Sequence, residues 1–445
     1  MSAFSFQEGY ALTRLAKIMA GLPASITAGL GSVFVVVGHQ YLKQGGRMAL
    51  VLPKALLSGV AWAETRRLLA EKYEVEFIVS SHEPFKWNFS ESTNLSEVLL
   101  VAKKKDDGTS LGDAKCIAVN LWRFPESTFE ALAVSSQIIG GDPPDLETGQ
   151  GAESLLVGER KIGEAVSMPW SKLKEEPEWL LPCGFAQVDL ARVLMRLKKG
   201  ELWLPGHGSC STIPLTRIDA LGTLGPDQRD VVDGFDVSSS PTNYHALWGH
   251  HAKNIQTLAT EPNKWLYALP KARSRRKLRK AEDLWPKAGR VMLPARLRFN
   301  TNACVAVRLN RKALGVSWWP FYFNPELESA ANEKALVLWL NSTPGLLMLV
   351  GHRVEQHGAW VNLKKPSLHS MPTLDVRTLS KKQLDQLERA YDQLCREPML
   401  PLPFMSTDPL RRRLDAAVEK VLGLPDLEVL RELLAREPNI SLNPL

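Results

Sequence analysis

The chain has 445 residues, 44% apolar and 23% charged, with a formal net charge of +7. That composition describes an ordinary water-soluble chain of two or three domains; five scattered cysteines with no C-x-x-C pair exclude a disulfide framework and fit a reducing cytoplasm. The apolar runs at 33–37 and 346–350 are too short to span a bilayer, and the N-terminus has no signal-peptide pattern, so a cytoplasmic location is expected.

Residues 1–44 read as a mostly helical lead-in. The β-branched run VFVVV at 33–37 favours a strand by propensity, but a Gly-Gly turn follows at once and a parallel sheet needs a helix before its next strand. The reading is therefore a buried helix over Val33–Lys43. After Gly45-Gly46 come a short apolar strand, Arg47–Pro53, and an amphipathic helix over Ala61–Lys72. That helix has Trp62, Leu68 and Leu69 on its apolar side and Glu64, Arg66, Arg67 and Glu71 on its wet side. A second strand, Val75–Ser80, leads through a polar loop containing Phe89, Ser90, Glu91 and Ser92 into a third, Leu95–Ala102. This is the later half of a doubly wound α/β sheet ending in a hairpin.

Downstream, GGDPPDLETGQGAES is a Gly/Pro-rich loop or linker. Residues 185–240 mix short segments with glycines and prolines. From Asn243 to Leu374 several aromatic-rich strands (VMLPARLRF, CVAVRLN, GVSWWPFYF) precede the helix ALVLWLNS, an α+β pattern. The end is helical: Ser380–Cys395 with a Ser N-cap, then Asp408 to about Arg436, broken at Gly423-Leu424-Pro425.

Charge is concentrated. Residues 253–312 hold sixteen Lys/Arg against three Asp/Glu, a net of +13, which leaves −6 for the rest of a chain whose total is +7. A basic island in an acidic protein points to a polyanion bound at one place. Its densest part is Lys271, Arg273, Arg275, Arg276, Lys277, Arg279 and Lys280, flanked by Trp265 and Trp285. The functional reading is phosphate contact with DNA; the plain alternative is a solvated helix face or loop. Arg296, Arg298 and Asn300 alternate along a predicted strand and so share one face. The histidines at 245, 250 and 251, and His207 with Cys210, lack a second pair at zinc-site spacing, so no metal is expected.

With GSVFVVVGHQYLKQ, GGRMALVLP, AWAETRRLLAEKY, VEFIVS and WNFSESTNLSEVLLVAKK in this order, the chain resembles the N6-adenine DNA methyltransferases of restriction-modification systems. The match covers roughly a quarter of the chain and lies in order and spacing. The segment EKALVLWLNSTPGLLMLVGHRVEQHGAWVNLKKPSLHSMPTLDV is similar, more loosely, to the family's target-recognition region.

The resemblance implies the later strands of a class I methyltransferase fold over 1–120, a linker and target-recognition region over 121–378, and a helical region over 379–445. It implies S-adenosylmethionine as cofactor and double-stranded DNA as partner. It places Phe89 where the family packs a ring on the flipped base, while Trp87 and Phe85 compete for that role or for plugging the end of the sheet. Two family features are missing. Gly29-Leu30-Gly31 follows no strand and reads as a helix start, and Asp142-Pro143-Pro144-Asp145 ends in an acid that cannot stack and lies after the strands it should precede. The expectation is an inactive C-terminal portion of such an enzyme, its cofactor half supplied by a separate chain or lost. The Arg47–Pro53 strand would then lie at a sheet edge with apolar surface beside it. The alternative is a non-catalytic DNA-specificity subunit serving a partner enzyme.

Overall fold

A six-stranded mixed sheet, flanked by helices, opens the fold. The structure is a computed structural model and describes Ser25 and residues 28–91, 95–106, 114–249, 254–271, 280–357 and 360–445. Two compact units divide the chain: unit 1 is Met1–Arg192 with Val354–Ala359 and Glu437–Leu445, and unit 2 is Val193–Arg353 with Trp360–Arg436.

Unit 1 begins with helix α1 (Leu30–Tyr41), which takes in the VFVVV run. Propensity yields to packing here: Val35 and Val36 are buried, and Gly38 lies so close to Met48 that an added Cβ would come 2.9 Å from its sulfur. The Gly-Gly turn, with Gly45 at φ 68°, clips onto the far end of the sheet through Gly45 N to Lys104 O and Lys104 N to Gly46 O. The Lys104 ammonium donates to the carbonyls of His39 and Leu42, satisfying the C-terminal end of α1.

Strand β1 (Arg47–Pro53), helix α2 (Ala63–Lys72), β2 (Tyr73–Ser81) and β3 (Glu97–Lys104) follow. Arg66, expected on the wet face of α2, is instead buried. Its guanidinium donates to the carbonyls of Leu56 and Gly59, orphan acceptors of the turn that connects β1 to α2. β3 is antiparallel to both β1 and β2, so β1 and β2 run the same way with a reversed strand between them.

The sheet order is β1-β3-β2-β4-β6-β5, with β4 (Lys115–Leu121), β5 (Glu153–Val157) and β6 (Arg160–Pro169). β4 is parallel to β2, and β6 returns antiparallel. A division at residue 120 would cut β4. The sheet that was expected to end there continues to Pro169, because β4 offers β6 a second buried edge. Helix α3 (Thr128–Gly140) packs on this part through Val134 and Ile138.

Among the described residues β1 is one of the sheet's two edge strands, β5 being the other, and its edge position is as the resemblance implied. Val51 on β1 and a stripe of Phe34, Val37 and Tyr41 on α1 are exposed there. The Asp142–Asp145 tetrapeptide is a loop. Asp145 caps its own turn, accepting from the amides of Glu147 and Thr148.

Unit 2 centres on a sheet in the order β7-β14-β11-β13-β9-β10-β8. Its strands are β7 (Gly222–Leu224), β8 (Phe235–Ser238), β9 (Tyr244–Trp248), β10 (Lys264–Ala268), β11 (Gly289–Pro294), β13 (Val307–Val316) and β14 (Trp318–Phe323). Strand β12 (Arg296–Arg298) pairs separately with β15 (Trp360–Asn362). Leu266, Ala246 and Leu314 point to one face and pack with Phe235, with Val231 of helix α4 (Gln228–Gly234), and with Leu284.

Behind it lie two buried helices, α5 (Ala330–Asn341) and α6 (Thr343–Gly351), bent by 73° at Ser342. Ser342 caps α6 through the Gly345 amide and donates to Trp339 O. The close turn needs glycine at 345, where a Cβ would meet Trp339 O at 1.9 Å. Among the described residues no single helix is long and apolar enough to cross a membrane.

The terminal helices α7 (Lys381–Leu394), α8 (Pro409–Leu422) and α9 (Glu428–Arg436) belong to unit 2 rather than to a region of their own. Ser380 and Gln383 form the capping box that starts α7, and Lys334 of α5 pairs with its Glu388 and Asp392. Asp415 of α8 is fully buried. It accepts from the Thr343 amide (2.8 Å), the Thr343 hydroxyl (2.6 Å) and Arg431 Nη1 of α9 (2.8 Å), joining three helices through one carboxylate.

Candidate functional site

In open α/β sheets ligands bind beyond the carboxyl ends of the parallel strands. In unit 1 those ends belong to β1, β2 and β4 and carry Lys54, His82 and Trp122. His82 is buried, with Nε2 3.0 Å from Asn120 Oδ1, and Asn120 in turn donates to Pro182 O. The loop after β2 is tied down at several points. Ser81 donates to Lys86 O (2.6 Å), the Glu83 carboxylate accepts from Phe124 N, and Glu97 accepts from the amides of Phe89 (2.8 Å) and Ser90 (2.9 Å). A carboxylate accepting two main-chain amides is a charge-assisted anchor for the loop's shape.

The three rings of this loop take different places. Phe89 is half-buried, edge-on to Phe124 at 5.3 Å and packed against the cluster of Val119, Leu121 and Val134. Trp87 is buried beneath the loop. Phe85 is 72% exposed, held at φ 68° and edge-on to Trp87. A bulky residue at positive φ is uncommon and strained. The accessible ring at this edge is thus Phe85, while Phe89 has one side committed to packing. Nothing in residue type separates the three rings; the distinction comes from the Glu97 anchor, which draws the Phe89–Ser90 backbone inward.

The Gly29-Leu30-Gly31 segment has a packing role. Gly29 is the N-cap of α1, and an added Cβ on Gly31 would meet Trp62 at 2.9 Å, so this glycine pair serves helix packing.

Of the basic cluster, Lys271 and Lys280 are described and exposed, whereas Arg273, Arg275, Arg276, Lys277 and Arg279 lie outside the described residues. Arg296 and Arg298 share a face of β12, and both guanidinium groups stack on the Trp360 ring, at 4.4 and 4.5 Å from its centroid. Trp360 stands opposite Arg298 in the β12–β15 register. Stacking fixes the guanidinium planes while leaving in-plane N–H groups to donate, an arrangement suited to bidentate phosphate or base-edge contact. Asn300 lies in the short helical turn Phe299–Thr301 beyond the strand.

Part of the basic surplus is neutralised internally: Arg308 pairs with Glu333 and Lys312 with Glu328. Arg311 does not fall in that group; its Nη1 lies 3.3 Å from His245 Nε2. Burial, followed by Arg311, holds His245 below its usual range, so Arg311 supplies the cation there. Among the described residues no group of three or more His, Cys, Asp or Glu side chains is placed to hold a metal ion.

No protein-family model matches the sequence, and no curated protein matches it. Among solved structures, the chain aligns with the type IIG restriction endonuclease BpuSI at 13% identity and a TM-score of 0.33. The alignment covers 97% of this chain and 53% of that one, so the chain spans about half the length of that protein.

Proposed function

We propose that this polypeptide carries the later strands of a SAM-dependent N6-adenine DNA methyltransferase of a restriction-modification or related defence system, together with its target-recognition region. One observation carries the reading: β1 and β2 run parallel with β3 reversed between them, the strand-helix-hairpin order that the sequence resemblance implies. Unit 2 is then the DNA-binding part. Arg296 and Arg298 contact the duplex from their Trp360 stack, and the Lys271–Lys280 segment holds phosphates.

The 445 residues contain no Asn-Pro-Pro-aromatic tetrapeptide, and in this reading the chain alone is not expected to transfer a methyl group. The open edge of β1 and the α1 stripe are where a second polypeptide bearing that motif would add a strand.

The test is to incubate the purified chain with tritiated S-adenosylmethionine and mixed-sequence duplex, and to measure duplex binding between 50 and 200 mM salt. Binding that falls steeply with salt, without methyl incorporation, is expected. Methyl incorporation by this chain alone, or duplex binding indifferent to salt, would overturn the reading.

A further inference from the structure

The outer face of β10 carries a feature that duplex binding does not require. Side chains alternate along a strand, so Leu266 enters the core while Trp265 and Tyr267 stand on the opposite face, 41% and 44% exposed. In the register, Trp265 lies between His245 of β9 and Ser238 of β8, and Tyr267 lies opposite Asp236. The row is therefore cationic at one end, where Arg311 meets His245, and aromatic in the middle. The Tyr267 hydroxyl lies 3.3 Å from Asp236 Oδ2, which fixes the ring's orientation. Three residues beyond β10 the chain enters the Lys271–Lys280 segment, the most basic in the sequence.

We propose that this face is a stacking platform for unpaired bases of single-stranded DNA, with Trp265 and Tyr267 as the two rings. The proposal rests on the reading of unit 2 as DNA-binding and names the form of DNA this face takes. Two magnitudes select that form. Residues two apart on a strand are about 6.7 Å apart, whereas successive bases of a duplex strand are about 3.4 Å apart. Neighbouring bases can each occupy a ring only when the strand is stretched and unstacked. Exposed rings beside basic groups are also the means by which proteins hold single strands, since every base has a π-face. The Asp236 carboxylate repels phosphate, so the sugar-phosphate chain runs on the Arg311 side of the rings.

The experiment is fluorescence anisotropy of the full chain with a fluorescein-labelled dT12 and with a labelled 20-base-pair duplex. Wild type is compared with Trp265→Thr/Tyr267→Thr, whose β-branched residues preserve strand propensity, and with Trp265→Phe/Tyr267→Phe. Loss of both rings should weaken dT12 binding by at least about tenfold. The duplex affinity should stay unchanged, and the phenylalanine pair should restore dT12 binding to within about threefold. Thermal melting reports whether each variant is folded; were the threonine pair unfolded, Tyr267→Thr alone should still weaken dT12 binding about fivefold.

If wild type and folded threonine variants bind dT12 equally, or wild type binds duplex but not dT12, the platform is wrong and the duplex reading stands. If wild type binds neither, both fall.

Discussion

Glu97 in unit 1 and Asp415 in unit 2 are both carboxylates that accept main-chain amides, yet they hold different kinds of structure. Glu97 gathers the amides of Phe89 and Ser90 at the rim of a sheet and so sets the course of one loop. Asp415 lies under a sheet with no exposure and joins Thr343, Arg431 and its own helix. Glu97 fixes the path of one loop at the start of β3, whereas the three helices around Asp415 cannot part without leaving ions in a dry interior. The first carboxylate therefore sets how rings are presented at a sheet rim, and the second sets how helices are held in an interior.

The largest effect that would sharpen this contrast is Asp415→Ala. It strands Arg431 and the Thr343 groups without a partner, and a loss of about 3–5 kcal/mol is expected. Urea unfolding of wild type and variant checks it; a loss below about 1 kcal/mol would put Asp415 in the same class as a surface group.

Next in size is an acid sensitivity that one imidazole of unit 2 contributes. His352 is buried with Nδ1 2.7 Å from Met348 O, and burial, with a smaller push from Lys198, lowers its pKa to about 3. The unfolded chain takes up this proton below about pH 6.5 and the folded chain does not. Stability is therefore lost as the pH falls through 6.5, and the loss is complete near pH 3. Between pH 7 and 5 it amounts to about 2 kcal/mol. In His352→Gln, that part of the slope in pH-dependent urea midpoints should vanish.

The smallest effects are in the loop. Phe89→Ala should cost about 1–2 kcal/mol, less than a full core truncation because only one side of the ring is packed. Phe85→Ala should cost close to nothing, because the ring is largely exposed and the Cβ that meets the positive φ is kept. Equal losses at the two positions, measured by thermal melting, would break the distinction between the anchored ring and the open one.

The strand-helix-hairpin succession of β1, α2, β2 and β3 was legible in the sequence through short-range chemistry: a Gly-Gly turn, apolar runs of strand length, and a polar connection of hairpin type; the pairing of β3 with β1 was not. α1 was legible for a topological reason, the need for a crossover before β1, although its valines favour a strand. The continuation through β4 and β6 was not, since the intervening Gly/Pro-rich stretch looks like a linker when it is a long surface connection. Arg66 was misplaced because a helical wheel shows which side a residue is on, not which carbonyls lie within reach of a long side chain. Among candidate site residues, the shared face of Arg296 and Arg298 followed from strand alternation. Their partner Trp360, over sixty residues away, left no local signal. The exposure of Trp265 and Tyr267 could have been read from their two-residue spacing around Leu266, but only Trp265 was singled out, as a flank of the basic run.

The 73° break at Ser342 has a consequence for the length of unit 2's most apolar stretch. As one rod, α5 with its 12 residues and α6 with its 9 would be roughly 30 Å long, the thickness of a bilayer's hydrocarbon layer. Membrane insertion machinery responds to the length and hydrophobicity of a helix. The serine cap, Pro344 and Gly345 divide one greasy rod into two stubs, each too short to qualify. The bend that shapes the interior of unit 2 thus also divides its most apolar stretch into two short helices.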